Sequence, residues 1–267
     1  MIGEEFTPGY VTTPVGRVHH VTRGEGPALV LLHQTPRSWD EFAATMTRLD
    51  GYRTIAPDLL GYGASGPENT IEEAAASVTG LLDALGVDRF HLAGHHFGGL
   101  VAYHLAATAP DRVRSLVLSS TPYIDEAERE RRRSAAPFNV VPTEPDGSHL
   151  AQLWQRRSGF MNDGDEQVIG RYVRDVLGHA DADRGHAAVA AYRSEDHRGR
   201  YPGPVLCVAS AGDPRAYPRR HGIVGAFPQA HELVLDDGDI SSPETVPGRF
   251  AALLRDFHAE LPAEVEA

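Results

Sequence analysis

The chain has 267 residues, with 25 basic and 37 acidic side chains and a formal charge of −12. Hydrophobic residues at 41% and charged residues at 23% exclude a disordered chain and supply enough apolar surface for a sizeable core. The acidic balance argues against nucleic acid and anionic membrane as partners, since both select clustered positive charge.

A single cysteine, Cys207, permits no internal disulfide and no cysteine-based metal cluster. Every basic residue is arginine. Without lysine, Schiff-base chemistry, a lysine general base and a phosphate-loop lysine are all excluded. The opening residues MIGEEFTPGY contain no apolar stretch of the kind a secretory signal needs, and the longest apolar runs are strand-sized. The expectation is a cytoplasmic protein.

In chain order, YVTTPVGRVHHVT alternates about a Pro14-Val15-Gly16 turn and predicts a hairpin. ALVLLH (28–33), bounded by turn residues, predicts a strand buried on both faces. Ser38 is placed to cap a helix running to about Leu49, and YRTIAPD (52–58) predicts the next strand. A helix from Thr70 to Leu85 ends at Gly86, followed by a strand in DRFHLAG (88–94). Phe97 to Ala109 predicts a helix stopped by Pro110, and RVRSLVLSS (112–120) a further strand. Strands alternating with helices on short loops predict a parallel sheet with right-handed crossovers.

From Thr121 to about Tyr201 the periodicity is helical, with no strand-like run. PVLCVAS (204–210), HELVLD (231–236) and a helix from Pro243 to Leu261 then resume the alternation. The chain thus divides into an α/β core, 1–120 and 202–267, and a helical cap insertion, 121–201, over the carboxyl edge where such sheets bind ligands. Within the cap, the mixed charges of ERERRRS (128–134) predict a solvated helix face.

One stretch carries chemistry. HLAG-His95-His96-Phe97-Gly98-Gly99 sets a strand, a sharp turn and a helix in succession, with Gly94 and Gly98 flanking His96. It resembles the nucleophile elbow, G-x-S-x-G, of the α/β-hydrolase fold. His33-Gln34-Thr35-Pro36 resembles that family's His-Gly-x-Pro oxyanion loop, DLLGYGAS (58–65) its D-x-x-G-x-G-x-S loop, and Gly212-Asp213-Pro214 its acid-bearing turn. Leu235 to Asp239 falls where the family carries a Gly-His pair. The resemblance runs in order across the whole chain and implies a mostly parallel central sheet flanked by helices, with a helical lid. It also implies an atypical member, in which His96 stands at the nucleophile position, Asp239 at that of the catalytic histidine, and Asp213 matches the acid.

An acyl-enzyme mechanism requires a hydroxyl with a histidine base, and both are missing from their expected places. Epoxide hydrolases and dehalogenases need an elbow aspartate and are set aside as direct models for the same reason. The expectation is a cofactor-independent enzyme in which His96 acts as acid or base, oriented by Asp239 or Asp213, on a small carbonyl-containing metabolite. A lyase, cyclase or isomerase reaction is the first reading. The alternatives are hydrolysis of an ester, lactone or activated C–C bond by water that His96 activates, and a non-catalytic protein that keeps only the pocket. Replacement by two titratable residues, where decay leaves inert ones, favours an enzyme.

The resemblance assigns the oxyanion hole to the backbone N–H groups of Phe97 and Gln34. Candidate pocket residues are His33, Trp154, Tyr172, Tyr192 and His197, with Phe160 and Met161 as further aromatic and soft side chains of the cap. His95 reads as a core residue, and Ser119, Ser120, Ser241 and Ser242 as strand-end and capping residues. No metal site is expected. No dinucleotide fingerprint is present either, since GEGPAL and GYGASG lack the strand–turn–helix setting.

Overall fold

Runs with no polar face to turn toward water are forced into the middle of a layered sheet, and ALVLL is the plainest case. In the computed structural model, which describes residues 6–67, 70–161, 165–179 and 181–261, β3 (Ala28–Leu32) has Leu29, Val30, Leu31 and Leu32 wholly shielded from solvent. Its alternate residues feed two separate cores. Val30 and Leu32 pack on one face, Leu29 and Leu31 on the other.

The sheet has eight strands in the order β1-β2-β4-β3-β5-β6-β7-β8. β1 (Thr7–Thr13) and β2 (Gly16–Arg23) form the expected hairpin and join antiparallel to β4 (Arg53–Pro57). From β4 onward β3, β5 (Phe90–His95), β6 (Val113–Ser119), β7 (Val205–Ser210) and β8 (His231–Leu235) are all parallel. The helices of the core are α1 (Ala43–Met46), α2 (Ile71–Ala84) and α3 (Phe97–Thr108). α2 begins at a capping box, the Thr70 hydroxyl accepting from the Glu73 N–H while the Glu73 carboxylate accepts from that of Thr70. α2 and α3 cover the face of Val30. Phe42, Met46 and the C-terminal helix cover the other.

Between β6 and β7 lie α4 (Glu126–Arg133), α5 (Ser148–Ser158), α6 (Glu166–Leu177) and α7 (Arg184–Ala191), with no strand among the described residues. After β7 come α8 (Arg220–Val224), α9 (Ser242–Thr245) and α10 (Pro247–Ala259). α6 is tied to the core by buried ions. The fully buried Arg37 guanidinium meets Asp40 at 3.2 Å, Glu244 at 2.6 Å, and Asp175 of α6. Arg171 of α6 reaches the same Glu244 at 2.8 Å, and Arg174 reaches Asp40 at 2.8 Å.

Three expected elements differ. The helix from Ser38 to Leu49 is a 3-10 turn, Trp39–Phe42, followed by the four-residue α1. The Ser38 hydroxyl donates to the Asp40 carboxylate and makes no cap, and the Trp39 N–H goes to Asp58 at 2.8 Å. The closing helix breaks at Val246 (φ −127°, ψ 52°), because the residue before Pro247 is pushed out of the helical region. α4 is also less solvated than its charges suggest: Glu128 and Arg129 are buried, Arg129 in ion pairs with Glu126 and Glu195. No helix of the described residues is long and apolar enough to cross a membrane.

Candidate active site

His96 is the single residue between the end of β5 and the start of α3, and the turn it makes there is tight. Its backbone has φ 48° and ψ −109°, a conformation that L residues rarely adopt. Neighbouring backbone leaves no room for side chains on either side. A Cβ on Gly94 would lie 2.2 Å from the Gly98 carbonyl oxygen, and one on Gly98 would lie 2.1 Å from that of Leu32. The His96 N–H, donated to the Ser119 carbonyl at 2.9 Å, fixes the bend to β6. This close approach of helix and strand lifts the His96 ring to the rim of the sheet.

There Nε2 of His96 lies 2.8 Å from Oδ2 of Asp213, in the loop after β7. The carboxylate approaches off the ring N–H axis, so the contact is chiefly electrostatic. Nδ1 makes no hydrogen bond among the described residues, and the partly exposed ring lines a cavity of about 360 Å³. Oδ1 of Asp213 accepts the N–H groups of Arg215 at 2.9 Å and Ala216 at 3.0 Å. Burial alone would raise the Asp213 pKa. The neighbouring imidazole and the two N–H donors overcome this and hold it well below the usual carboxylate range.

His95 turns into the core. Its Nε2–H donates to the Ile240 carbonyl at 3.1 Å and its Nδ1 accepts from the Ser119 hydroxyl at 2.9 Å. Burial, with the His96 imidazole beside it, pushes its pKa down to about 3, so the ring stays neutral.

Several expected site residues lie elsewhere. Asp239 is buried at the head of α9, where Oδ1 accepts from the Ser241 N–H at 2.7 Å and the Thr245 hydroxyl at 2.9 Å. The acid brought against His96 is Asp213; Asp239 holds a turn. The Gln34 N–H is also taken, since it donates to Oε2 of the buried Glu41 at 2.7 Å while the Gln34 amide donates to Oε1 at 2.6 Å. Gln34 therefore lines the cavity without offering its backbone donor, and of the two expected oxyanion groups only the first N–H of α3, on Phe97, is left.

His33 is wholly buried and ties its own loop. Nδ1–H donates to the Gln34 carbonyl at 2.8 Å and Nε2 accepts from the Leu59 N–H at 2.9 Å. Of the cap aromatics, Tyr172 and Phe160 line the cavity. Trp154 is exposed on α5, Met161 packs with Val168, Ile169 and Ile240, and Tyr192 stacks on His197 (5.8 Å between rings, 11° between planes) away from the cavity. His33, His96, Asp213 and Asp239 are thus not gathered around a common point, and no metal-competent group of three or more His, Cys, Asp or Glu occurs among the described residues.

What the sequence reading missed is the rest of the wall. Arg131, Arg132, Arg157, Arg215 and Arg219 all line the cavity, together with Phe138, Asn139 and Ser120. Arg157 had a legible signal: it follows the buried Leu153 by four residues on α5 and so shares its inward face. Among the described residues, Ser120 is the other non-glycine residue with positive φ (46°), and its buried hydroxyl has no hydrogen-bond partner there.

A family model described as alpha/beta hydrolase fold matches residues 27–242. The chain belongs to the α/β-hydrolase fold family. Among its relatives, epoxide hydrolase 3 of Siraitia grosvenorii is 35% identical over 129 residues, 46% of this chain and 39% of that protein. Haloalkane dehalogenase 2 of Mycobacterium tuberculosis is 36% identical over 111 residues, 40% of this chain and 39% of the dehalogenase. The chain thus spans about two fifths of the length of each of these relatives. Among solved structures, a hydrolase from Pseudomonas aeruginosa PA01 superposes with a TM-score of 0.79 at 23% identity, covering 97% of this chain and 99% of its own. An enol-lactonase from Burkholderia xenovorans LB400 gives 0.74 at 22%, covering 94% and 100%. At these identities the structural likeness speaks to the fold alone.

Proposed function

We propose that this family member is a hydrolase in which His96, paired with Asp213, activates a water molecule against an ester, a lactone or an activated C–C bond. The observation that carries this reading is the division of labour on the His96 ring. Nε2 is shut against a carboxylate that stays ionised, while Nδ1 has no hydrogen-bond partner among the described residues and the ring lines the cavity. Water gives its proton to Nδ1 as its oxygen attacks the electrophilic carbon, Asp213 supports the imidazolium that forms, and the same proton passes to the leaving group. The Phe97 N–H, at the start of α3, stabilises charge developing on the substrate oxygen. An isomerase, cyclase or lyase reaction would use the same base. Relatives named as epoxide hydrolase and haloalkane dehalogenase favour hydrolysis over these.

The test is a panel of esters, lactones, β-diketones and epoxides run in ¹⁸O-water with the wild type and His96→Gln. Label is expected in the product, with turnover lowered at least about 100-fold in the variant. Unchanged turnover in His96→Gln would refute the assignment. A second reading is favoured by the unpaired Ser120 hydroxyl in the same cavity, which would attack in place of water. It requires a covalent adduct on Ser120 in the intact-mass spectrum and loss of that adduct in Ser120→Ala.

A further inference from the structure

Three arginines among the described residues are almost completely buried, Arg37, Arg129 and Arg157, and Arg129 is paired with Glu126 and Glu195. Arg37 is surrounded by three carboxylates, those of Asp40, Asp175 and Glu244. Arg157, with 2% of its surface exposed, has no carboxylate within ion-pair distance among the described residues. One Nη donates to the Ser241 hydroxyl, the guanidinium lies 4.7 Å from the centre of the Tyr172 ring, and Nε is buried without an acceptor. These contacts position the group without neutralising it. Burial presses its pKa below the ordinary arginine value, outweighing the opposing pull of Tyr172 and of the more distant carboxylates of Glu244 and Glu41.

Arg215 lines the same cavity as an exposed residue, stacking on Phe138 at 3.8 Å with no ion-pair partner among the described residues. The nearby Arg131, Arg132 and Arg219 share one carboxylate, Glu128, with Arg132 at 2.7 Å and Arg219 at 3.7 Å. A chain with a net charge of −12 has therefore lined the cavity that holds His96 with arginine. Taking an unpaired guanidinium out of water is unfavourable by several kcal/mol, and an incoming anion relieves that penalty through charge-assisted, often bidentate, hydrogen bonds.

We infer that the substrate carries an anionic group, a carboxylate or a phosphate, seated on Arg157 and Arg215. This deepens the hydrolytic reading, which places the reacting carbon at His96; the anion seat itself does not depend on turnover. A cavity of about 360 Å³ suits a metabolite-sized anion.

Calorimetric titration of the full chain tests this, with inorganic phosphate, succinate and the neutral succinamide as probes, in chloride buffer at constant ionic strength. Saturable binding of succinate or phosphate, and none of succinamide, is expected. Arg157→Met and Arg215→Met should each weaken it at least about tenfold, while Arg249→Met, which removes an exposed charge on α10, leaves it unchanged. Binding of succinate alone assigns a carboxylate substrate, binding of phosphate alone a phosphoryl one, and binding of both supports the shared seat. No saturable binding of either anion overturns the inference, as does binding that survives both substitutions or falls equally with Arg249→Met. Should Arg157→Met fail to fold by circular dichroism, Arg215→Met, in the loop after β7, decides the question. Binding without hydrolysis would sink the catalytic reading and leave the seat standing; hydrolysis without anion binding would do the reverse.

Discussion

Replacing buried Arg37 and buried Arg157 by methionine should shift stability differently. Arg37→Met strands the carboxylates of Asp40, Asp175 and Glu244 in the interior, and breaking a buried ion pair from one side costs about 3–5 kcal/mol. Arg157→Met strands no acid. It removes a desolvation penalty of several kcal/mol. It also gives up a charge-assisted bond to Ser241, about 1.5–3 kcal/mol, and a contact with the Tyr172 ring, about 2 kcal/mol. The net for Arg157→Met lies between neutral and about 3 kcal/mol of stabilisation. The two variants should therefore differ by at least about 3 kcal/mol. At about 2–4 °C per kcal/mol for a domain somewhat smaller than this one, that is a Tm gap of roughly 6 °C or more. Thermal and urea unfolding in buffer free of phosphate and carboxylates reads the difference. If Arg157→Met proves as damaging as Arg37→Met, the fold already neutralises that charge and the argument for an anion seat fails.

Asp213→Asn should lower kcat by about 10²–10⁴ with the circular dichroism spectrum unchanged, since the imidazolium loses its counter-charge. Asp239→Ala should act mainly on stability, by about 1 kcal/mol through the lost bonds to Ser241 and Thr245, and lower kcat less than Asp213→Asn does. Gly98→Ala places a methyl group 2.1 Å from the Leu32 carbonyl oxygen, so soluble yield and Tm should both collapse. Acid should unfold the protein through its buried imidazoles. His33 and His95 have folded pKa values pushed down to about 4 and about 3, so their contribution is complete above the ordinary value of 6.5 and is lost as pH falls through that window. For His33 the loss is on the order of 3 kcal/mol, and His33→Gln should flatten the stability-against-pH curve between pH 6.5 and 4.

β3 and β7 are legible in the sequence because a parallel strand covered on both sides reads as a nearly unbroken apolar run, as in Ala28–Leu32. The start of α2 is legible for a local reason too, since Thr70 and Glu73 satisfy each other's N–H groups without help from the rest of the chain. The break at Val246 is legible in Pro247 itself, which bars the residue before it from the helical region. Which acid meets His96 is another matter. Asp213 and Asp239 both follow sheet strands, and in each Oδ1 is held by the turn that follows. What separates them is position: Oδ2 of Asp213 meets the His96 ring, which only the fold decides. The fate of the Gln34 N–H likewise rests on Glu41 folding back seven residues to meet it. ERERRRS has the composition of a wet helix face, and only the packing of α4 against the cavity gives Arg131 and Arg132 an inward role.

The bend between β5 and α3 is specified by what its neighbours lack. Clearance at Gly94 and Gly98 makes the turn, and nothing in that clearance depends on the chemical nature of residue 96. The bend is in this sense an interchangeable socket, able to present different reactive groups on one scaffold. Installing serine there would restore the motif on paper but would not rebuild a serine hydrolase. Asp239 would still be bound into its turn, and the imidazole that serine needs would have been the very group removed.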